Sequence, residues 1–191
     1  MNLLVILGPT AAGKTQLAVQ LAQKLNGEII SADSRQVYRG MDIGTGKDLD
    51  DYLNNGIPIP YHLIDIVDPV EEYNVAQFQK AFQRVSEDIY TRDKLPILCG
   101  GTGFYIKAVL MDFQFPTTEL NLPLREKLKK IELNELIVEL ERISPDSSNS
   151  TPVDTKRRVI RAIEIAKARK QEPGDRSKKM DKHLTNCIIR E

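Results

Sequence analysis

An apolar run, Leu3 to Leu7, that breaks into Gly8-Pro9-Thr10-Ala11-Ala12-Gly13-Lys14-Thr15 constrains this chain more than any other feature. The run is bounded by a Gly-Pro turn and reads as a buried parallel strand. Lys14 to Leu25 reads as the helix that follows, with Leu17, Leu21 and Leu25 four residues apart and Gly27 just past its end. Between them the loop satisfies G-x-x-x-x-G-K-[ST] in the strand–loop–helix context that gives the pattern meaning. Amide groups at such a helix start face an anion, and the helix dipole favours negative charge there. Lys14 adds a point charge, and the Thr15 hydroxyl can ligate Mg²⁺ holding a diphosphate. Gly8–Thr15 is thus read as a di- or triphosphate site. The loop does not say which molecule carries the phosphate.

Strand and helix signals keep alternating downstream. Glu28–Ala32 and His62–Val67 read as strands, the latter closed by Asp68-Pro69. Asn74 with Gln77 three residues on has the form of a capping box. Behind it Phe78, Phe82, Val85 and Ile89 make an apolar helical stripe. Leu95–Cys99 is another buried strand, ending in Gly100-Gly101 before a helix from about Gly103 to Leu110. This order predicts an α/β fold: a P-loop NTPase-like parallel sheet with helices on both faces. After Phe115-Pro116 the chain turns amphipathic and charged, with helices over 124–131 and 133–143 and a turn-rich loop over 144–150. A basic helix spans 151 to about 170, and a polar stretch with a Pro-Gly pair follows. The expected organisation is a core over 1–116, a small helical appendage over 117–150, a basic helix over 151–170 returning to the core, and a mobile tail over 171–191.

Net charge is zero, yet residues 1–153 carry 15 Lys+Arg against 21 Asp+Glu and residues 154–191 carry 12 against 6. A basic segment on an acidic body can meet phosphate or nucleic acid, and equally can be a solvated helix. No apolar run nears the roughly 20 residues of a membrane span, and no basic segment precedes Leu3–Leu7 as in a secretion signal. A cytoplasmic location with no membrane partner is expected. Cys99 and Cys187 fit no metal spacing and read as free thiols.

Two further stretches can carry chemistry. Ser31 to Gly40 follows the second strand, and ligands of open α/β sheets sit outside the carboxyl ends of strands. Asp33 there can accept a proton or hold magnesium through water; capping a turn is the alternative. Gly100-Gly101-Thr102-Gly103-Phe104-Tyr105 also opens a helix at a strand end, where its glycines would let a substrate approach closely. A nucleotide hydrolase would need an acidic strand end as a second Mg²⁺ partner. Asp65 and Asp68 fit that loosely, and Cys99-Gly100-Gly101 offers no carboxylate.

Together Gly8–Thr15, Ile30–Thr45, His62–Pro69, Pro96–Tyr105 and the helix Asp154–Ile165 resemble the tRNA dimethylallyltransferases, also called tRNA isopentenyltransferases. That family moves a dimethylallyl group from its diphosphate to N6 of the adenosine 3′ of the anticodon. The resemblance implies that Gly8, Pro9, Thr10, Ala11, Ala12, Gly13, Lys14 and Thr15 hold dimethylallyl diphosphate rather than ATP. Lys14 and a Thr15-bound Mg²⁺ would stabilise the leaving diphosphate, and Asp33 would be the general base for the N6 proton. Ser34, Arg35 and Gln36 match the stretch facing the target nucleotide, Thr102 matches a position touching tRNA, and Arg158 and Arg161 are candidates for closing over the diphosphate. The partner implied is a tRNA anticodon stem-loop. Full-length family members continue beyond the stretch that Asn186–Glu191 resembles, by roughly their last third, so a partner chain supplying that part is one expectation. Three alternatives stay open: an adenylate isopentenyltransferase, a P-loop small-molecule kinase, and a truncated, inactive diphosphate-binding paralogue.

Overall fold

Strand β1 (Leu3–Leu7) is apolar throughout because both of its faces are covered. The structure, a computed structural model, describes residues 2–47, 49–54, 56–116, 118, 121–145, 152–171 and 187–190. Its main sheet has β1 beside β6 (Leu95–Gly100), then β2 (Gly27–Ser31), then β5 (Tyr61–His62), with β7 (Cys187–Arg190) on the other side of β1. All of these pairs are parallel, with Leu4 opposite Ile97 and Ile29 opposite both Ile97 and Tyr61. Alternation along the strands sorts the core into two layers. Val5, Ile30 and Leu98 meet Phe78 and Phe82 of helix α2 (Val75–Thr91) and Ile106 and Val109 of α3 (Gly103–Leu110). Ile6, Ile29 and Ile97 meet Ala18, Val19 and Ala22 of α1 (Lys14–Leu25) on the other face. The chain is thus the α/β sheet with helices on both faces that its sequence predicts.

Local signals settle most of these elements. Asn74 Oδ1 accepts from the amides of Ala76 and Gln77 at 3.0 and 3.2 Å, while Gln77 Oε1 accepts from the Asn74 amide at 2.8 Å, completing the capping box at the start of α2. The structure adds the buried face of α1 and corrects two expectations. Of the three spaced leucines of α1, Leu21 packs against the core while Leu17 and Leu25 are 40% and 50% exposed, and the small residues Ala18, Val19 and Ala22 let the helix lie close to the sheet. Asn26, at φ 52°, ends α1, and Gly27 instead begins β2, where a Cβ would stand 2.8 Å from the Leu95 carbonyl oxygen. The strand expected over 62–67 keeps its ladder only at Tyr61–His62, because Leu63 and Asp65 turn left-handed at φ 63° and 54°. Beyond them the chain is held by Asp65 N–H donating to the Gln36 carbonyl at 3.1 Å and by a bridge between Tyr38 and Val67.

Two units separate at residue 113: residues 1–113 with 181–191, and residues 114–180. The second contains α4 (Leu122–Leu128), α5 (Leu133–Ile143) and α6 (Lys156–Gln171) around Leu136, Leu140, Val159 and Ile163. Inside it Glu164, 1% exposed at its side chain, takes Arg125 Nε at 2.6 Å and Arg161 Nη1 at 3.2 Å. Burial alone would raise the Glu164 carboxyl, but these guanidinium groups outweigh it and lower its pKa. The tail expected over 171–191 lies largely outside the described residues, but Cys187–Arg190 is an edge strand of the main sheet, which the sequence reading missed.

At the amino end of β2 sits a second buried carboxylate. Glu28 is 1% exposed and bonds Arg92, Lys94 Nζ at 2.7 Å and His62 Nε2 at 2.7 Å. Burial raises its carboxyl, yet the hydrogen bonds from Arg92, Lys94 and His62 prevail and hold its pKa at about 2, against 4.5 when unperturbed. A depressed folded-state pKa means that this stabilisation is complete above 4.5 and is lost as pH falls from there through about 2. Glu28→Gln is expected to cost about 2 kcal/mol at neutral pH, the partial exposure of Arg92 allowed for. The variant's stability deficit should shrink at about pH 3 in urea titrations; a deficit independent of pH would refute the ion-pair assignment.

Candidate active site

Because the main strands are parallel, β1, β2 and β6 all deliver their carboxyl ends to one edge of the sheet. There β1 runs into Gly8, β2 into Ala32-Asp33, and β6 into Gly101. A cleft of about 520 Å³ opens between them. Thr10 to Thr15 form one wall, with Gly13 at φ 71° starting α1 and Ala11 at φ 62° shaping the loop. Gly8 and Pro9 support this wall: the Pro9 carbonyl accepts from Lys14 Nζ at 2.5 Å, and the Lys14 side chain passes 3.6 Å from where a Gly8 Cβ would stand. In this arrangement the lysine caps its own loop and can exchange that carbonyl for a phosphate oxygen.

Asp33 lines the same cleft, with its side chain 20% exposed. Its Oδ1 accepts the Arg35 amide at 2.9 Å, the local turn that Asp favours, and Arg35 Nε lies 4.0 Å away. Oδ2 has no partner among the described residues, which leaves it available for a proton. The backbone beneath Asp33 is fastened to β6. Ala32 N–H donates to the Cys99 carbonyl at 2.7 Å, and the Ala32 carbonyl accepts from Thr102 N–H at 3.0 Å. This close approach is what Gly100 permits, since a Cβ there would stand 2.3 Å from the Ala32 oxygen. Gly100 therefore admits the protein's own backbone, while Gly100 and Gly101 also line the cleft. Gly100→Ala is expected to cost about 2 kcal/mol by overpacking and to displace Asp33. Urea unfolding checks this; wild-type stability would show that the two segments part easily.

The remaining expected residues divide. Arg35 and Gln36 line the cleft. The Arg35 side chain is 58% exposed, whereas both ends of the Gln36 amide are used: Oε1 accepts from Ser31 Oγ and Nε2 donates to the Gly46 carbonyl, each at 2.9 Å. Ser34 and Thr102 bond each other, the Ser34 amide donating to Thr102 Oγ1 at 3.0 Å. Arg158 and Arg161 belong to the second unit, where Arg158 pairs with Asp154 at 2.5 Å and Arg161 also donates to the Thr118 carbonyl at 2.9 Å. Asp65 and Asp68, the loose second-magnesium candidates, are engaged by Lys47 at 2.5 Å and by Arg39 at 2.9 Å. Among the described residues no group of three or more His, Cys, Asp or Glu could hold a metal by itself, and no helix is long and apolar enough to cross a membrane.

Sequence reasoning missed two features. Lys47, 1% exposed at its side chain, bonds Asp65, Asp42 Oδ1 at 3.0 Å and the Tyr38 carbonyl at 2.8 Å, and so closes the loop whose Gly44–Gly46 segment lines the cleft. Burial would lower its pKa, but the two carboxylates carry it above the ordinary lysine value. No local pattern marks this lysine, because Asp65 lies 18 residues away. Asp51 and Tyr52, from a 3₁₀ turn over Leu49–Tyr52, also line the cleft, and they lie outside every motif noted above. Cys99 lines it as well; burial, partly offset by the Lys14 charge, pushes its thiol up to about 11, so it is protonated and a poor nucleophile.

Comparison with known proteins identifies the family. Residues 36–189 match the family described as IPP transferase, and residues 1–59 match Isopentenyl transferase. The chain is 55% identical over 165 residues to tRNA dimethylallyltransferase 1 of Geotalea uraniireducens, covering 86% of this chain and 54% of the relative. It is 53% identical over 174 residues to tRNA dimethylallyltransferase 2 of Phocaeicola vulgatus, covering 91% and 56%. Among solved structures it resembles a full-length tRNA isopentenylpyrophosphate transferase from Bacillus halodurans, with TM-score 0.57, 42% identity and coverage of 87% of this chain and 55% of that one. A eukaryotic dimethylallyltransferase acting on tRNA superposes with TM-score 0.74 at 34% identity, covering 86% and 41%. The chain spans about half the length of the curated relatives it matches. With the family match running over most of its residues, the chain belongs to the IPP transferase family.

Proposed function

We propose that this chain transfers a dimethylallyl group from dimethylallyl diphosphate to N6 of the adenosine 3′ of the anticodon in tRNA, in the cytoplasm. The observation that carries the reading is that Asp33, with an unpartnered carboxylate oxygen, lines the same cleft as the phosphate loop Thr10–Thr15. The loop amides and Lys14 bind the diphosphate, and Asp33 accepts the N6 proton. The bond from the allylic carbon to the diphosphate oxygen breaks as the bond from N6 to that carbon forms, and the diphosphate leaves into the positive end of α1. Mg²⁺ keeps several waters and binds through one or two protein ligands plus substrate phosphates; the Thr15 hydroxyl on the cleft wall would be such a ligand. Bound there, the ion would offset charge on the leaving diphosphate.

The adenine reaches Asp33 only by leaving its stack. Arg35 and Gln36, which line the cleft, and Ser34 and Thr102, which bond each other beside Asp33, are proposed to shape the nucleotide side. Arg158 and Arg161, which the family resemblance makes candidates for the diphosphate, hold Asp154 and Glu164 within the second unit.

The test is prenyl transfer by the purified chain from dimethylallyl diphosphate with Mg²⁺, with unmodified tRNA and AMP as separate acceptors. Transfer to tRNA is expected. Transfer to AMP alone would reassign the chain to adenylate modification. No transfer with diphosphate binding retained would overturn the activity of this chain alone, leaving an inactive diphosphate-binding remnant or a subunit that needs a partner chain.

A further inference from the structure

Residues 49–54 and 56–58 form a small structure of their own beside the cleft. The 3₁₀ turn Leu49–Tyr52 runs into a two-stranded ribbon of β3 (Leu53–Asn54) and β4 (Ile57–Pro58), and Ile59 N–H donates to the Tyr52 carbonyl at 2.8 Å. This fixes the Tyr52 backbone. Its ring packs in the α1 layer of the core with Ala18 and Cys99 and lies 4.5 Å from the Tyr61 ring. Tyr52 is only 6% exposed, yet it lines the cleft. Its hydroxyl has no hydrogen-bond partner among the described residues. Among the described residues the buried hydroxyl left without a partner is that of Tyr73, so the Tyr52 hydroxyl reaches the solvent of the cleft, where a ligand can take the place of water.

The surroundings indicate which ligand. Burial, reinforced by Cys99, Asp51, Tyr61 and Asp33, raises the Tyr52 pKa, so the phenol stays protonated and can donate. The helix its ring packs on is α1, whose first turn carries Lys14 and Thr15 at the anion-binding end of the cleft. A neutral donor there suits a phosphate oxygen, which offers acceptors and no competing hydrogens. We propose that the Tyr52 hydroxyl is a further diphosphate-binding group of this cleft, donating to a phosphate oxygen of the prenyl donor. The inference rests on the reading of the cleft as a diphosphate site.

Tyr52→Phe removes the hydroxyl and keeps the ring. The experiment titrates inorganic pyrophosphate with Mg²⁺ into the full chain and into this variant by calorimetry, with thermal midpoints in parallel. Expected is an affinity loss of about tenfold, the scale of one hydrogen bond to a charged group, with an unchanged midpoint. In the transfer assay KM for dimethylallyl diphosphate should rise by a similar factor while KM for tRNA stays constant. Equal pyrophosphate affinity in the two proteins overturns the proposal. So does a rise confined to the KM for tRNA, or a clear fall in the midpoint, which would reveal an internal partner for the hydroxyl. Failure of the wild-type chain itself to bind pyrophosphate is a separate result, and it overturns the diphosphate reading together with this inference.

Discussion

Asp33→Ala is expected to slow prenyl transfer by ~10²–10⁴-fold while pyrophosphate affinity stays nearly constant. The split follows from the geometry. Asp33 shares the cleft with the phosphate loop, but its one bonded oxygen is committed to the Arg35 amide, not to Lys14 or Thr15. Alanine therefore removes the base and leaves the anion site intact. Asp33→Asn separates the two roles that its sequence context allowed. Asparagine can still accept the Arg35 amide and so keep the turn, but it cannot take a proton. If the asparagine variant turns over like wild type, the carboxylate serves only to shape the turn and the base lies elsewhere. If both variants fail together, the proton-accepting role stands.

Lys14→Ala should act on the other substrate half. Transfer is expected to fall by ~10²–10³-fold, as when a charge-stabilising group is removed from a developing anion, and pyrophosphate affinity should fall by about tenfold or more. The loop amides and the dipole of α1 remain, so binding is weakened and not abolished. Lys14→Arg should restore little, because a planar fork replaces a compact point charge in a loop shaped around the Pro9 carbonyl contact. Calorimetry with pyrophosphate decides the matter: unchanged affinity in Lys14→Ala would remove the phosphate loop from the mechanism.

These two variants probe groups that local sequence already exposes. Lys14 is legible from eight consecutive residues, whereas the place of Asp33 after a strand leaves a turn cap open and only the family resemblance makes it the base. What holds Asp33 in place is not legible in that way. Its support comes from Gly100 and Thr102, about 70 residues downstream, through the contacts of Ala32 and Ser34. The sequence offered a glycine-rich strand end, and only the folded chain shows that its first glycine is there for Ala32. Gln36 teaches the same point in reverse. It stands in a stretch that resembles a nucleotide-facing segment, yet its amide is spent on Ser31 and Gly46.

The sequence by itself determined the features whose causes are local: the phosphate loop, the capped start of α2, and the alternation of strand and helix that makes the sheet parallel. Each depends on residues within a few positions of one another, where backbone geometry and hydrogen bonding restrict the choices. Tertiary structure decided the face that α1 buries, the carboxylates around Lys47, the placement of Cys187–Arg190 on the sheet edge, and the presence of Tyr52 in the cleft. All of these arise where distant segments compete for the same volume and the same hydrogen-bonding groups. That competition is settled by packing and desolvation, which act on neighbours in space and leave no periodic mark along the chain.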